Sequence, residues 1–154
     1  MTVGAAGGMN VIFKTILNPG DEVLTFSPYF VEYNSYVSNY DGKLVAIDPD
    51  TETFQANIED LERKITPKTK ALIINNPNNP TGVVYSEETI KKVAAILDAK
   101  QKEYGTEIFI VSDEPYRELA YDGVEVPYIT KYYNNTCLLY TSPSSRDPKT
   151  SRMP

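Results

Sequence analysis

The sequence predicts an α/β fold: a three-layer sandwich of helices on both faces of a mostly parallel sheet. Three observations predict it. Segments with helical spacing of apolar residues alternate with short strand-like runs along most of the chain. Residues 70–74 (KALII) are apolar without alternation, as in a strand covered on both faces. The junctions between segments carry Pro, Gly, Asn and Asp, the residues of turns.

The elements follow in order. Met9, Ile12, Phe13, Ile16 and Leu17 recur at helical spacing, and Asn18-Pro19-Gly20-Asp21 ends that helix. Residues 22–27 (EVLTFS) form a first strand. Tyr33, Tyr36, Val37 and Tyr40 mark a second helix ending near Asp41-Gly42, and residues 43–47 (KLVAI) a second strand. Ile58, Leu61 and Ile65 mark a third helix, closed by Thr66-Pro67, before the strand at 70–74. A loop rich in Asn and Pro spans 75–82. Ser86 then serves as the N-cap of a fourth helix, with Glu87 and Glu88 in its positive first turn. Ile90, Val93, Ala94 and Leu97 are the buried stripe of that helix. Residues 109–111 form a fourth strand running into Ser112-Asp113-Glu114. This alternation of strand and helix argues for a mostly parallel sheet.

Composition narrows the function. The chain has 154 residues, 41% hydrophobic and 23% charged, which suits one globular domain. Its net charge is −6, a poor match for nucleic acid or an anionic membrane, so neither is expected as a partner. An anion would have to be held by local backbone dipoles. There is no histidine, which removes the commonest general base, and the single cysteine, Cys137, permits no internal disulfide. No apolar run reaches membrane-spanning length, and the first eight residues lack the basic start of a signal peptide, so a cytoplasmic protein is expected.

Three segments could carry chemistry. Gly4-Ala5-Ala6-Gly7-Gly8 opens the first helix, where small residues and unpaired N–H groups suit either a phosphate or simple close packing. Asn75-Asn76-Pro77-Asn78-Asn79-Pro80-Thr81-Gly82 follows a buried strand. It reads as a surface turn or as a stiff loop holding an amide donor at the sheet's carboxyl edge. Asp113-Glu114-Pro115-Tyr116 ends another strand with adjacent carboxylates, fitting a helix N-cap, an acid–base pair or a Mg²⁺ site; with no His or Cys beside them, a transition metal is not expected. In a parallel sheet both loops fall beyond the carboxyl ends of strands, where ligands sit.

Together these segments resemble the large domain of class I/II aminotransferases, which are pyridoxal-phosphate enzymes. The resemblance is carried by residues 76–82 (NPNNPTG), by 112–116 (SDEPY), and by Pro19-Gly20-Asp21-Glu22-Val23 with Ser27-Pro28-Tyr29-Phe30 beyond it. It covers residues 2 to about 137. It implies that Gly4, Ala5 and Ala6 hold the phosphate of pyridoxal 5'-phosphate through backbone N–H groups and that Phe30 stacks on its ring. It implies that Asn79 and Tyr116 donate to the ring's phenolic oxygen and that Asp113 pairs with the pyridine nitrogen. The reaction implied is transfer of an amino group between an α-amino acid and a 2-oxo acid, by a homodimer. The same residues would equally hold the cofactor for a carbon–sulfur lyase, a decarboxylase or a cyclopropane-forming synthase. They would also suit a domain that binds a phosphorylated ligand without chemistry.

The resemblance further implies a Schiff-base lysine introduced by Ser-x-Ser-Lys after the next strand. Residues 134–140 (NNTCLLY) begin like that strand, but Ser144 stands about where the lysine belongs, and the proline-flanked setting of Lys149 does not match. The expectation is therefore a partial large domain over residues 1–140, cut from a longer protein, and a disordered, non-native tail over 141–154. The change of character is placed at about Leu138, with a natural lysine-free homologue as the alternative.

Overall fold

The protein is described by a computed structural model that covers residues 4–121 and 123–140. Five strands form one sheet: β1 (Glu22–Phe26), β2 (Lys43–Ile47), β3 (Thr69–Asn75), β4 (Phe109–Asp113) and β5 (Thr136–Leu139). Their order is β2-β1-β3-β4-β5 and every neighbouring pair is parallel. The helices are α1 (Gly4–Ile16), α2 (Tyr33–Ser38), α3 (Ile58–Lys64) and α4 (Glu87–Tyr104). The fold is the expected α/β sandwich.

Strand pleat sorts the core into its two halves. Side chains along a strand alternate between faces. Val23, Ala71, Ile73 and Val111 therefore share one face, packed with Met9 and Phe13 of α1 and Tyr33 and Val37 of α2. Leu24, Phe26, Leu72, Ile74 and Ile110 share the other, under Leu61 of α3 and Ile90, Val93, Ala94 and Leu97 of α4. The buried stripe read from the α4 sequence is the one observed. Ser86 caps α4 by accepting from the Thr89 N–H, and Gly105 ends it in the left-handed region at φ 65°.

Four boundaries differ from the sequence reading. The second helix stops at Ser38 because its carbonyls are taken up by a tight turn: Gly42 N–H donates to Val37 O and Asp41 N–H to Ser38 O. β3 runs on to Asn75 and β4 to Asp113, and these two residues are register partners. β5 includes Leu138 and Leu139, paired with Ser112 and Asp113, so both residues belong to the sheet and not to a tail beginning there. The expected tail, residues 141–154, lies outside the described residues.

Successive strands step from β1 outward to β2, then back across β1 to β3. The order thus reverses between β1 and β3, leaving a crevice past their carboxyl ends.

Candidate active site

A cavity of about 230 Å³ lies in that crevice, lined by Ala5, Ala6, Phe30, Asn79, Asp113 and Tyr116 among others. Six residues singled out from the sequence thus meet in one place from four separate segments. Gly4 opens α1 one residue before Ala5, with φ 67°. It is not among the residues lining the cavity.

Pleat explains which carboxylate faces the cavity. Asp113 lies two residues past Val111, on the α1/α2 face; Ser112 and Glu114 turn to the other side. The adjacent carboxylates read as one cluster are therefore separated. Glu114 is 3% exposed and accepts from Ser112 Oγ at 2.7 Å and Arg117 Nε at 2.5 Å. Arg117 also donates to the carbonyls of Val126 and Pro127, at 2.5 and 3.0 Å, and lies against the Tyr128 ring at 3.7 Å. Glu114 is thereby part of a brace for the segment after β4, not a member of the site.

Asp113 is 7% exposed. Its Oδ2 accepts from the Tyr33 hydroxyl at 2.6 Å, while its Oδ1 is buried without a hydrogen-bond partner. Burial pushes its carboxyl above the usual carboxylate range; the Tyr33 hydroxyl opposes that, and the charge of Glu114 adds to it. None of the described residues lining the cavity is Lys or Arg. An ionised Asp113 thus faces the cavity with no counter-charge of its own.

The Asn-rich loop is braced mostly by its own amides. Asn78 Oδ1 accepts from Thr81 Oγ1 at 2.8 Å, Asn76 Oδ1 accepts from Tyr85 N–H at 2.9 Å, and Gly82 turns back to Asn78 O at φ 74°. Asn79 Nδ2 is left pointing toward the cavity, 3.4 Å from the Tyr116 hydroxyl. Phe30 meets Tyr33 edge-on, with ring centroids 5.7 Å apart.

Two residues of the site escaped the sequence reading. Tyr33 was read only as one member of a helical repeat; its hydroxyl partner is 80 residues away. Asn75 was seen as the first loop residue, whereas it is buried at the end of β3 and ties the site together. Its Nδ2 donates to Asp113 O at 2.8 Å and its Oδ1 accepts from Asn79 N–H at 2.6 Å. Asn75→Ala leaves the Asn79 N–H without its partner and Asp113 O with only the 3.3 Å bond from Asn76 N–H, at an expected cost of about 1–3 kcal/mol in chemical denaturation. A loss under about 0.5 kcal/mol would mean that the amide bridge carries no weight.

A parallel α/β sheet with a cavity at its topological switch point, lined by a helix start, an amide, a phenol and a carboxylate with no cation among the described lining residues, is the arrangement of a ligand-binding domain. The sequence model of the family "Aminotransferase class I and II" matches residues 1–143, and the chain belongs to that family. It is 42% identical over 124 residues to a probable aspartate/prephenate aminotransferase of Thermus aquaticus, covering 80% of this chain and 31% of that protein. It is 38% identical over 139 residues to a probable N-acetyl-LL-diaminopimelate aminotransferase of Bacillus subtilis, covering 90% of this chain and 34% of that one. Among solved structures, an amino transferase from Eubacterium rectale superposes with a TM-score of 0.89 at 48% identity, over 90% of this chain and 35% of that one. Thermus thermophilus aspartate aminotransferase with maleate superposes at 0.80 and 37% identity, with 90% and 35% covered. The chain spans about a third of the length of the curated relatives it matches.

Proposed function

We propose that the protein acts in pyridoxal-phosphate-dependent transfer of an amino group between an α-amino acid and a 2-oxo acid. The observation that carries this reading is Asp113: a buried carboxylate with one oxygen unpartnered, on a side chain that lines a cavity with no cationic residue among its described lining. Asp113 would pair with the ring nitrogen of the cofactor, where the opposite charges would favour the charged form of both.

The other lining residues fit the rest of the group. Ala5 and Ala6 lie in the first turn of α1, where the helix dipole suits a phosphate and small side chains let it approach the backbone. Gly4 belongs to the same helix start. Asn79 and Tyr116 offer an amide and a hydroxyl donor side by side, suited to a phenolic oxygen. Phe30 gives an aromatic wall, its contact with a flat ring adding about 0.5–1.5 kcal/mol beyond burial. Bound there, the cofactor supplies an electron-withdrawing ring that stabilises negative charge at the substrate's α-carbon. The lysine implied by the family is not among the described residues lining the cavity. The names of the relatives favour amino transfer over the lyase and decarboxylase readings.

The test is binding by the purified chain, followed by tyrosine fluorescence. Pyridoxal phosphate is expected to bind at least about tenfold more tightly than pyridoxal, because charge-assisted bonds to the helix start are lost without the phosphate. Equal affinity for the two, or none for either, would overturn the cofactor assignment.

A further inference from the structure

The two oxygens of Asp113 have different surroundings. Oδ2 accepts a 2.6 Å hydrogen bond from the Tyr33 hydroxyl, a length typical of a charge-assisted O–H···O⁻ bond. Oδ1 is buried without a hydrogen-bond partner among the described residues, on a side chain that lines the cavity. The terminal torsion of an aspartate is soft, so an unrestrained carboxylate would rotate and exchange its oxygens. Tyr33 itself has little freedom. It is 1% exposed, stacks on Tyr29 with ring centroids 6.5 Å apart at 10°, and meets Phe30 at 79°. Its N–H donates to Phe30 O, so one turn at the start of α2 carries both Phe30 and Tyr33.

We propose that Tyr33 is a positioning residue that pins Asp113 through Oδ2 and so presents Oδ1 alone to the ligand in the cavity. The purpose of the clamp rests on the cofactor reading above; the clamp itself is a property of the cofactor-free chain.

The chemistry of the donor suits that purpose. A lysine or arginine in the place of Tyr33 would hold the carboxylate equally well but would neutralise it. A phenol donates one proton and keeps no charge, so the full negative charge of Asp113 stays available to a cationic ligand. Burial, then the neighbouring Asp113 charge, push the Tyr33 phenol well above its ordinary range, with Tyr116 and Tyr36 adding to the effect. That shift favours the protonated phenol, the form that donates. The other titratable groups acting on the pair are Glu114 on the Asp113 side and Tyr36 and Tyr116 beside the cavity. All are neutral or acidic, so none supplies a competing cation.

The test is a ¹³C-carboxyl NMR titration of Asp113 in the cofactor-free chain, wild type against Tyr33→Phe, which keeps the ring packing and deletes the donor. The Asp113 ionisation equilibrium is expected to move about tenfold or more toward the acid in the variant, as for loss of a hydrogen bond to a charged acceptor. A parallel titration with pyridoxal phosphate is expected to show about tenfold weaker binding by Tyr33→Phe. An unchanged Asp113 titration overturns the clamp, whatever the cofactor result. A shifted titration with unchanged cofactor affinity in a chain that does bind cofactor overturns its positioning role. A shifted titration in a wild-type chain that binds no cofactor supports the clamp and removes the cofactor reading alone. Should Tyr33→Phe fail to fold, the wild-type chain still decides the matter. A slowly exchanging Tyr33 hydroxyl proton that shifts as Asp113 titrates supports the clamp, and a rapidly exchanging hydroxyl overturns it.

Discussion

Asp113→Asn is expected to weaken function and strengthen the fold at the same time. An amide is nearly the size of a carboxylate and can still accept from the Tyr33 hydroxyl, so the packing around residue 113 survives. What disappears is the charge that faces the cavity. In the proposed function that charge keeps the cofactor's ring nitrogen protonated, and amino transfer by the whole enzyme is expected to fall by about two orders of magnitude or more. The stability effect has the opposite sign. Burial holds the Asp113 carboxyl above the ordinary carboxylate range, so the folded chain binds this proton more tightly than the unfolded chain does. The contribution to stability is complete below the unfolded value, about 4, and is lost as pH rises through the folded value. Without cofactor, the Asn variant is thus expected to melt at a higher temperature than wild type at pH 8, with the difference shrinking toward pH 4. Thermal melts at the two pH values, beside a turnover assay, check both halves. A variant less stable than wild type at pH 8 would show that Asp113 is paired in the free protein. Unchanged turnover would remove it from the chemistry.

The convergence of the candidate residues on one cavity was legible in the sequence, while their wiring was not. Local periodicity reports which face of an element is apolar. It found the α4 stripe of Ile90, Val93, Ala94 and Leu97, because every member lies within two turns of the next. Loop chemistry at strand ends singled out residues 75–82 and 113–116, and the family resemblance chose Asn79, Asp113 and Tyr116 within them; a parallel sheet delivers the carboxyl ends of its strands to one edge, where all three line one cavity. The missing parts depend on partners distant in sequence. Nothing near Tyr33 says that its hydroxyl meets a carboxylate in β4, and a helical repeat of tyrosines reads as core, which Tyr33 also is. Asn75 was assigned to a loop because Asn is rare in strands. Its amide is affordable there only because two backbone groups from different segments satisfy it. The parting of Asp113 from Glu114 could have been read, since strand side chains alternate. Treating the two carboxylates as one cluster ignored that alternation.

Arg117→Ala is expected to cost about 3–5 kcal/mol in equilibrium unfolding, because it strands a charge in the interior. Glu114 has 1% of its side chain exposed and Arg117 has 16%, so solvent cannot replace the lost guanidinium. Ser112 Oγ remains as the only hydrogen-bond donor described for the Glu114 carboxylate. The same substitution releases the carbonyls of Val126 and Pro127 and uncovers the Tyr128 ring. The charge, not the lost packing, dominates this cost. Adding Glu114→Gln to Arg117→Ala is therefore expected to recover more than half of the loss, since a neutral amide needs no counter-charge. A double variant no more stable than Arg117→Ala would assign the cost to the freed loop instead. The brace also bears on the site. Tyr116 sits between Asp113 and Arg117, half-exposed, and its neighbours are held in place by the Glu114–Arg117 pair on the far side of the strand end. Loosening that pair should let Tyr116 move away from Asn79 without touching either side chain. Pyridoxal phosphate should then bind more weakly to Arg117→Ala even at temperatures where the variant is fully folded. The double variant, with residues 114–117 still unbraced, should recover stability but not affinity. That split would place the Glu114–Arg117 pair outside the cavity and yet in control of its outer wall.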